Sequence, residues 1–338
     1  MIRVVSVSGG KDSTALYLWA MDQFGKDGFR AVFADTGNEH PVTYNYVRNL
    51  PAMTGGPGVE WVRENFDDRL RAKGLWPSGA GMFDLWRWKG RAPSARAQFC
   101  TEHLKTKPIK DWLDRVRGLE DVEMYVGIRA GESEKRSKMP PEEDSDYFDC
   151  IVKRPLLKWS EEAVFEFLKS KGIPPNPLYE NGSARVGCYP CIHSRKSELA
   201  NMPDWAWEKL AAWEKLAGRT WFSFGDIPLT QGQTLALKQA EEWETVPCDN
   251  CKGTGFKELE CGPISELYDC SPCEATGKVK RLTDAANLRI AALKNEYSPS
   301  VEQVKEWTHT ARGGRQFEMF QEDAKDVPSC MSSWGHCE

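Results

Sequence analysis

Six consecutive residues, Ser8-Gly9-Gly10-Lys11-Asp12-Ser13, constrain the fold of this chain more than any other feature. They follow residues 2–7, a β-branched run that predicts a buried strand, and they lead into a helix from about Ser13 to Phe24. Ala15, Leu16, Trp19 and Ala20 give that helix an apolar face, and Gly25 stops it. Gly9 and Gly10 let the backbone turn tightly and point successive N–H groups at an anion with no Cβ in the way. The helix presents its positive end to the same spot. Lys11 adds a mobile cation, and Ser8 and Ser13 add hydroxyl donors. A glycine turn with incidental polar neighbours is the plainer alternative, and the strand–turn–helix context argues against it. The longer Gly-x4-Gly-Lys spacing of a Walker A loop is absent.

Further strands are expected at residues 30–35, ending in Asp35-Thr36-Gly37, and at 59–62, 124–128 and 151–152, with a helix at about 107–117. Alternating strands and helices predict an α/β fold with a parallel five-stranded doubly wound sheet. Such sheets bind ligands at the carboxyl ends of their strands, where the tips after residue 7 and at Asp35 lie. Ser160 reads as the cap of a helix to Lys171, closed by Gly172. The stretch 202–245 reads as a helical segment. Composition shifts at Pro247 into a Cys/Gly segment that runs to about Val279, followed by a helix over roughly 282–296 and a polar tail. The expected organisation is a nucleotide-binding domain at 1–200, a helical extension at 201–246, a small zinc-binding module at 247–280, and a helix with tail at 281–338.

Net charge is −5 over 338 residues, so contact with nucleic acid requires a local basic patch. No apolar run reaches the roughly 18 residues of a membrane helix, which points to no membrane partner and a cytoplasmic location. Eleven cysteines in such a chain read as metal or redox chemistry before disulfides. Cys248-x2-Cys251-x18-Cys270-x2-Cys273 has the loop length of a four-thiolate Zn2+ site. It resembles half of the cysteine-rich zinc region of DnaJ-type cochaperones. Residues 86–96 alternate Trp with Arg and Lys, which suits either a platform for unpaired bases or a loop that buries its two Trp side chains.

The loop resembles the PP-loop of the ATP pyrophosphatase superfamily. Within it, the chain resembles the phosphoadenylylsulfate (PAPS) reductase family through Phe33 to Pro41, Gly127-Ile128-Arg129 with Glu132-Ser133 and Arg136, Pro155 to Trp159, Asn176 to Tyr179, and Gly187 to Cys191. The resemblance implies that Ser8, Gly9, Gly10, Lys11, Asp12 and Ser13 hold phosphate, that Gly127 borders the nucleotide, and that Asp35 meets ribose or Mg2+. It also implies that Arg129 and Arg136 meet the anionic end of the substrate. A helix cap is the alternative role for Asp35, and a solvated charge is the alternative for Arg136. Cys100, in Cys100-Thr101-Glu102-His103, resembles the family's first-cysteine motif. With Cys188 and Cys191 it is similar to the ligands of iron–sulfur members, which implies a [4Fe–4S] cluster, with zinc or reduced thiols as alternatives. Cys150, His103 and His193 are the candidates for a fourth ligand.

PAPS reductases usually lack the loop lysine, whereas Lys11 is suited to neutralising a departing pyrophosphate. Their catalytic Glu-Cys-Gly-x-His motif is echoed only in part, at Glu260-Cys261-Gly262 and Gly335-His336-Cys337. Three functions follow as expectations. The first is ATP-dependent sulfur transfer, forming AMP and pyrophosphate, to an acceptor such as a nucleic acid, with a sulfur donor or electron-donor protein as partner. The second is reduction of PAPS or adenylylsulfate to sulfite, with a nucleophile among Cys261, Cys330 and Cys337. The third is a non-catalytic nucleotide-binding interaction protein.

Overall fold

The structure is a computed structural model that describes residues 1–310 except 96, 224–227, 250, 251, 253–255, 262, 263, 270–275 and 277, with backbone alone for 256–261 and 264–269. The chain opens with β1 (Ile2–Val7), α1 (Lys11–Phe24), β2 (Arg30–Ala34), α2 (Pro41–Thr54) and β3 (Val59–Val62). Three short helices follow, α3 (Asp67–Arg71), α4 (Gly81–Lys89) and α5 (Phe99–Thr101), then α6 (Lys107–Val116) and β4 (Val122–Tyr125). Next come α7 (Glu134–Ser137), β5 (Glu142–Ser145), β6 (Cys150–Lys153), α8 (Glu161–Ser170), α9 (Lys196–Ala200) and α10 (Asp204–Ala217).

One sheet runs β3-β2-β1-β4-β6-β5. Every neighbouring pair is parallel except β5 with β6. The strands are apolar on both faces because both are covered. Val5, Val7, Ala31 and Phe33 pack with Leu16 of α1, Leu50 of α2, and Val164 and Leu168 of α8. Val4, Val32, Met124 and Val152 pack on the other face with Ile109, Trp112 and Leu113 of α6. β1 lies between β2 and β4, so the carboxyl ends of all three open on the turn after Val7.

The sheet has six strands, one more than expected. The additional strand, β5, reads Glu-Glu-Asp-Ser and carries no apolar alternation. It is an edge strand two of whose three acids are met from its neighbours, Glu142 by Lys153 at 3.5 Å and Glu143 by Arg154. Edge position and charge pairing replace the apolar signal. Other limits fall close to expectation: Ser160 caps α8 by accepting the Ala163 N–H at 3.1 Å.

The described residues group into two compact units, Met1–Ser223 with the segment from Ser300 onward, and Phe224–Pro299. In the first, α13 (Val301–Thr308) closes on α9 and α10, and Glu214 accepts the N–H groups of Trp221 at 2.6 Å and Val301 at 3.0 Å. The second holds α11 (Gln231–Gln239), β7 (Trp243–Pro247), β8 (Phe256–Cys261), β9 (Ile264–Asp269), β10 (Lys278–Leu282) and α12 (Asp284–Glu296). Its strands form two antiparallel pairs, β7 with β10 and β8 with β9. The expected helical stretch therefore ends early, because Trp243 to Pro247 pair with a strand more than thirty residues ahead that local composition does not reveal. Among the described residues no helix is long and apolar enough to cross a membrane.

Candidate active site

Ser8, Gly9 and Gly10 form the turn from β1 into α1. Gly9 has φ +83°, and a Cβ there would sit 2.9 Å from methyl carbons of Thr43 and Val47, so conformation and packing both demand glycine. Gly10 leads α1 without a side-chain cap, so the positive end of a 14-residue helix opens on the turn. The Ser8 hydroxyl donates to the Ser13 hydroxyl at 3.0 Å, and Ser13 donates to the Gly10 carbonyl at 3.0 Å. Asn176 donates to the Gly9 carbonyl at 3.1 Å, and the Tyr179 hydroxyl accepts the Lys11 N–H at 2.9 Å. Asn176 and Tyr179 were visible as a motif, but their grip on the loop crosses more than 160 residues.

The Lys11 ammonium lies 3.2 Å from the Asp12 carboxylate, 3.5 Å from Glu161 and 5.3 Å from the Tyr179 ring centre. Asp12 is fully buried and pairs with Nε of Arg129, which follows β4. Gly127 makes that approach feasible, since a Cβ there would lie 3.1 Å from the Asp12 backbone. Arg129 therefore braces the loop through Asp12. Arg136 is buried and pairs with Glu132, whose carboxylate also accepts the Arg129 N–H at 2.8 Å. The solvated-surface alternative for Arg136 is excluded by this burial.

Asp35 accepts the Gly37 N–H at 2.9 Å and the Tyr44 hydroxyl at 2.8 Å on one oxygen, and Arg63 through both Nε and Nη2 on the other. Its acceptor capacity is committed, which fits an oriented carboxylate better than a direct Mg2+ ligand. The helix cap of α2 is His40, not Asp35, through its ring nitrogen and the Val42 N–H at 3.1 Å. Beside Asp35, Glu39 Oε2 also lies 2.8 Å from the Tyr44 hydroxyl, whose one proton is shared between the two carboxylates. Burial raises the Glu39 carboxyl above its usual range, and hydrogen bonds from Thr36 and Tyr44 oppose the rise.

The loop that holds Glu39 is zipped to the Cys188–Cys191 loop: the Tyr189 N–H donates to the Asn38 carbonyl at 2.6 Å, and Thr36 Oγ1 lies 3.5 Å from Cys188 Sγ. Lys209 of α10 spans both loops, donating to Asn38 Oδ1 at 2.8 Å and the Tyr189 carbonyl at 2.9 Å. Burial lowers its ammonium to about 8. Nothing in the sequence signalled this lysine. Cys100, Cys188 and Cys191 all act electrostatically on Lys105. Burial opposes its charge, yet these thiols and Glu39 keep its pKa above the ordinary lysine value. Burial pushes the Cys100 thiol up to about 11 and Cys188 to about 12.

The pattern described as the phosphoadenosine phosphosulfate reductase domain matches residues 2–194, more than half of the chain. The chain belongs to the phosphoadenosine phosphosulfate reductase family. It is an enzyme of the phosphate-loop kind that this family represents, so the expectation of a non-catalytic binding protein gives way. An uncharacterized 37.8 kDa protein of Escherichia phage 186 is 38% identical over 255 residues, covering 64% of this chain and 75% of that one. An adenosine 5'-phosphosulfate reductase of Burkholderia cepacia is 32% identical over 111 residues, 32% of this chain and 42% of that one. The chain spans less than two thirds of several other relatives. A PAPS reductase from Candida auris, solved with phosphate, aligns at 17% identity with a TM-score of 0.41 over 56% of this chain and 83% of its own.

Family membership raises the question of a cluster on the three thiols. Among the described residues no three Cys, His, Asp or Glu side chains stand close enough to hold one ion. One candidate fourth ligand, Cys150, falls away. Cys150 begins β6 and so lies at the amino end of the sheet, opposite the site, beside Arg117 and Asp149. His103 packs edge-on against Trp88 at 5.1 Å, with Lys89, Glu102, Arg69 and Glu64 as its charged neighbours. His193 stays near the thiols, in the same cavity wall as Cys191.

Of the second cysteine set, Cys248 is buried, while Cys251, Cys270 and Cys273 lie outside the described residues. The same holds for Cys330, Cys337 and the Cys261 side chain. Residues 81–89 form α4 and do not offer an open aromatic platform: Trp86 is 1% exposed and packs on Trp221 at 5.3 Å. Trp88 is covered by Phe66, His103 and the Arg69 guanidinium.

Proposed function

We propose that this enzyme cleaves ATP, bound with Mg2+, to AMP and pyrophosphate in order to activate an acceptor for sulfur transfer. The observation that carries the reading is Lys11, a buried ammonium in the phosphate loop, set by Asp12 and Glu161 at the positive end of α1. An acceptor oxygen forms a bond to the α-phosphorus, the bond to the bridging oxygen of the β-phosphate breaks, and the electron pair leaves on pyrophosphate. Lys11 and the N–H groups at the start of α1 offset the charge that gathers there. Asp12 and Arg129 keep the loop in register, and Asp35 fixes Tyr44 and Arg63 beside the carboxyl end of β2. Mg2+ enters on the phosphates with its own waters. A sulfur nucleophile then displaces AMP from the activated acceptor, for which a nucleic acid is the proposed class. Cys100, Cys188 and Cys191 would hold a [4Fe–4S] cluster, which supplies sulfur-binding or electron-transfer chemistry when bound. Zn2+ on Cys248, Cys251, Cys270 and Cys273 is proposed as a stabiliser of the second unit.

A second reading, reduction of adenylylsulfate or PAPS to sulfite, is favoured by the likeness to adenosine 5'-phosphosulfate reductases over a third of the chain. It requires a nucleophilic cysteine, to be sought among Cys261, Cys330 and Cys337.

Calorimetry on anaerobically purified protein separates the two. Tight binding of Mg-ATP with weak binding of PAPS and adenylylsulfate supports adenylation; the reverse order replaces it with the reductase reading. Lys11→Ala supplies the kinetic check: AMP formation that survives unchanged would remove the role assigned to the lysine.

A further inference from the structure

A cavity of about 300 Å³ lies beside the thiols and does not belong to the phosphate loop. Cys188 and Cys191 form part of its wall, and none of Ser8 to Ser13, Asp35, Gly127 or Arg129 is among its described lining residues. Its volume is at the lower end of that of small-molecule sites, roughly 300–1,000 Å³, and suits a molecule no larger than a mononucleotide.

The lining has two chemical characters. One part is apolar, with Leu178, Met202 and the Tyr189 side of the Cys188–Cys191 loop; Leu178 and Met202 are buried. The other part is cationic. Lys105 reaches the wall from the first cysteine segment, and Arg185 from the loop that precedes Gly187. Arg185 is half-buried and makes no ion pair or hydrogen bond to the described residues. The guanidinium on the cavity wall therefore has its donors available to an anionic ligand, which it can meet with charge-assisted hydrogen bonds. The acidic side chain in the lining, Glu198, already accepts the Arg195 N–H at 2.7 Å as part of the start of α9.

We propose that this cavity is a second-substrate pocket that takes an organic anion, with its apolar body against Leu178 and Met202 and its charged end on Arg185. The occupant is a phosphate, carboxylate or sulfonate of mononucleotide size or less, bound at the same time as the nucleotide and adjoining Cys188 and Cys191. Its role as second substrate rests on the sulfur-transfer reading; its selection of anions does not.

The experiment uses 1-anilinonaphthalene-8-sulfonate, a fluorescent aromatic anion, and N-phenyl-1-naphthylamine, its uncharged analogue, on the full-length protein. The sulfonate is expected to bind one molecule per chain. Arg185→Gln should weaken it by about tenfold or more, the range of a single charge-assisted contact, and leave the uncharged probe unchanged. Saturating Mg-ATP should not displace the sulfonate. Met202→Trp, checked for folding by circular dichroism, should exclude both probes by filling the apolar end. Unchanged sulfonate affinity in Arg185→Gln overturns the proposal, as does competitive displacement by Mg-ATP, which would assign the cavity to the nucleotide site. A protein that selects the sulfonate but forms no AMP from ATP would instead retire the adenylation reading and leave the pocket standing.

Discussion

Asp12→Ala tests the internal brace of the site. The Asp12 side chain is 0% exposed and that of its partner Arg129 is 6% exposed, so removing the carboxylate strands a guanidinium away from water. Breaking a buried pair from one side costs roughly 3–5 kcal/mol, against about 0–1 kcal/mol for a surface pair. Lys11 loses an acidic neighbour in the same step and keeps Glu161 at 3.5 Å. With domain stabilities of roughly 5–15 kcal/mol, the loss is a large share of the total. In urea, with slopes of about 1–3 kcal/mol/M, the midpoint should fall by roughly 1–5 M. Asp149→Ala is the internal control, since that side chain is 73% exposed and pairs with Arg117 at the surface. Circular dichroism against urea reads both variants. Adding Arg129→Met to Asp12→Ala should recover part of the loss, because no stranded charge remains. A midpoint for Asp12→Ala as close to wild type as that of Asp149→Ala would refute the brace.

Lys209 gives a dependence on pH. Burial lowers its pKa from 10.5 to about 8, so between those values the unfolded chain keeps a proton that the folded chain has released. Stability should therefore rise with pH across that window, by at most about 3 kcal/mol relative to Lys209→Met, as read from urea midpoints at several pH values. A flat difference curve would show that the lysine is not buried against its charge. Gly37→Ala and Gly55→Ala share a positive φ, but only at Gly37 would the Cβ meet backbone, 2.5 Å from the Gly81 nitrogen. Thermal unfolding should show a loss of about 1–2 kcal/mol for Gly55→Ala from conformation alone, and clearly more for Gly37→Ala. Cys188→Ser should lower the iron bound after anaerobic purification together with turnover; full activity without iron would end the cluster proposal.

The phosphate loop could be read directly from the sequence because an anion imposes glycine, lysine and a helix start within a few residues. Asp35, Arg129 and Arg136 could be located, yet not their partners. Asp12 is 117 residues from Arg129 and Arg63 is 28 from Asp35, and no local pattern connects such pairs. Lys209 lies 171 residues from Asn38, on a helix whose Trp and Glu content reads as surface and core alike. β5 escaped notice for a different reason: an edge strand needs only one partner, so charge can replace the alternation of apolar residues. The Trp-rich segment at 86–96 has a composition that fits bases and core equally, and packing against Trp221 decides for the core at Trp86.

The closing of α9 and α10 by α13 has a consequence for synthesis. The first compact unit is encoded in two separated stretches, with the whole of Phe224–Pro299 between them. Val301, Val304 and Trp307, which finish it, are among the last described residues to leave the ribosome. Until then the matching faces of α9 and α10 stay open, and Glu214 lacks the Val301 amide. The loop-closure cost of so long an interruption grows only logarithmically, so the delay is kinetic more than thermodynamic. Vectorial synthesis thus makes completion of the first unit wait for the chain that follows the second.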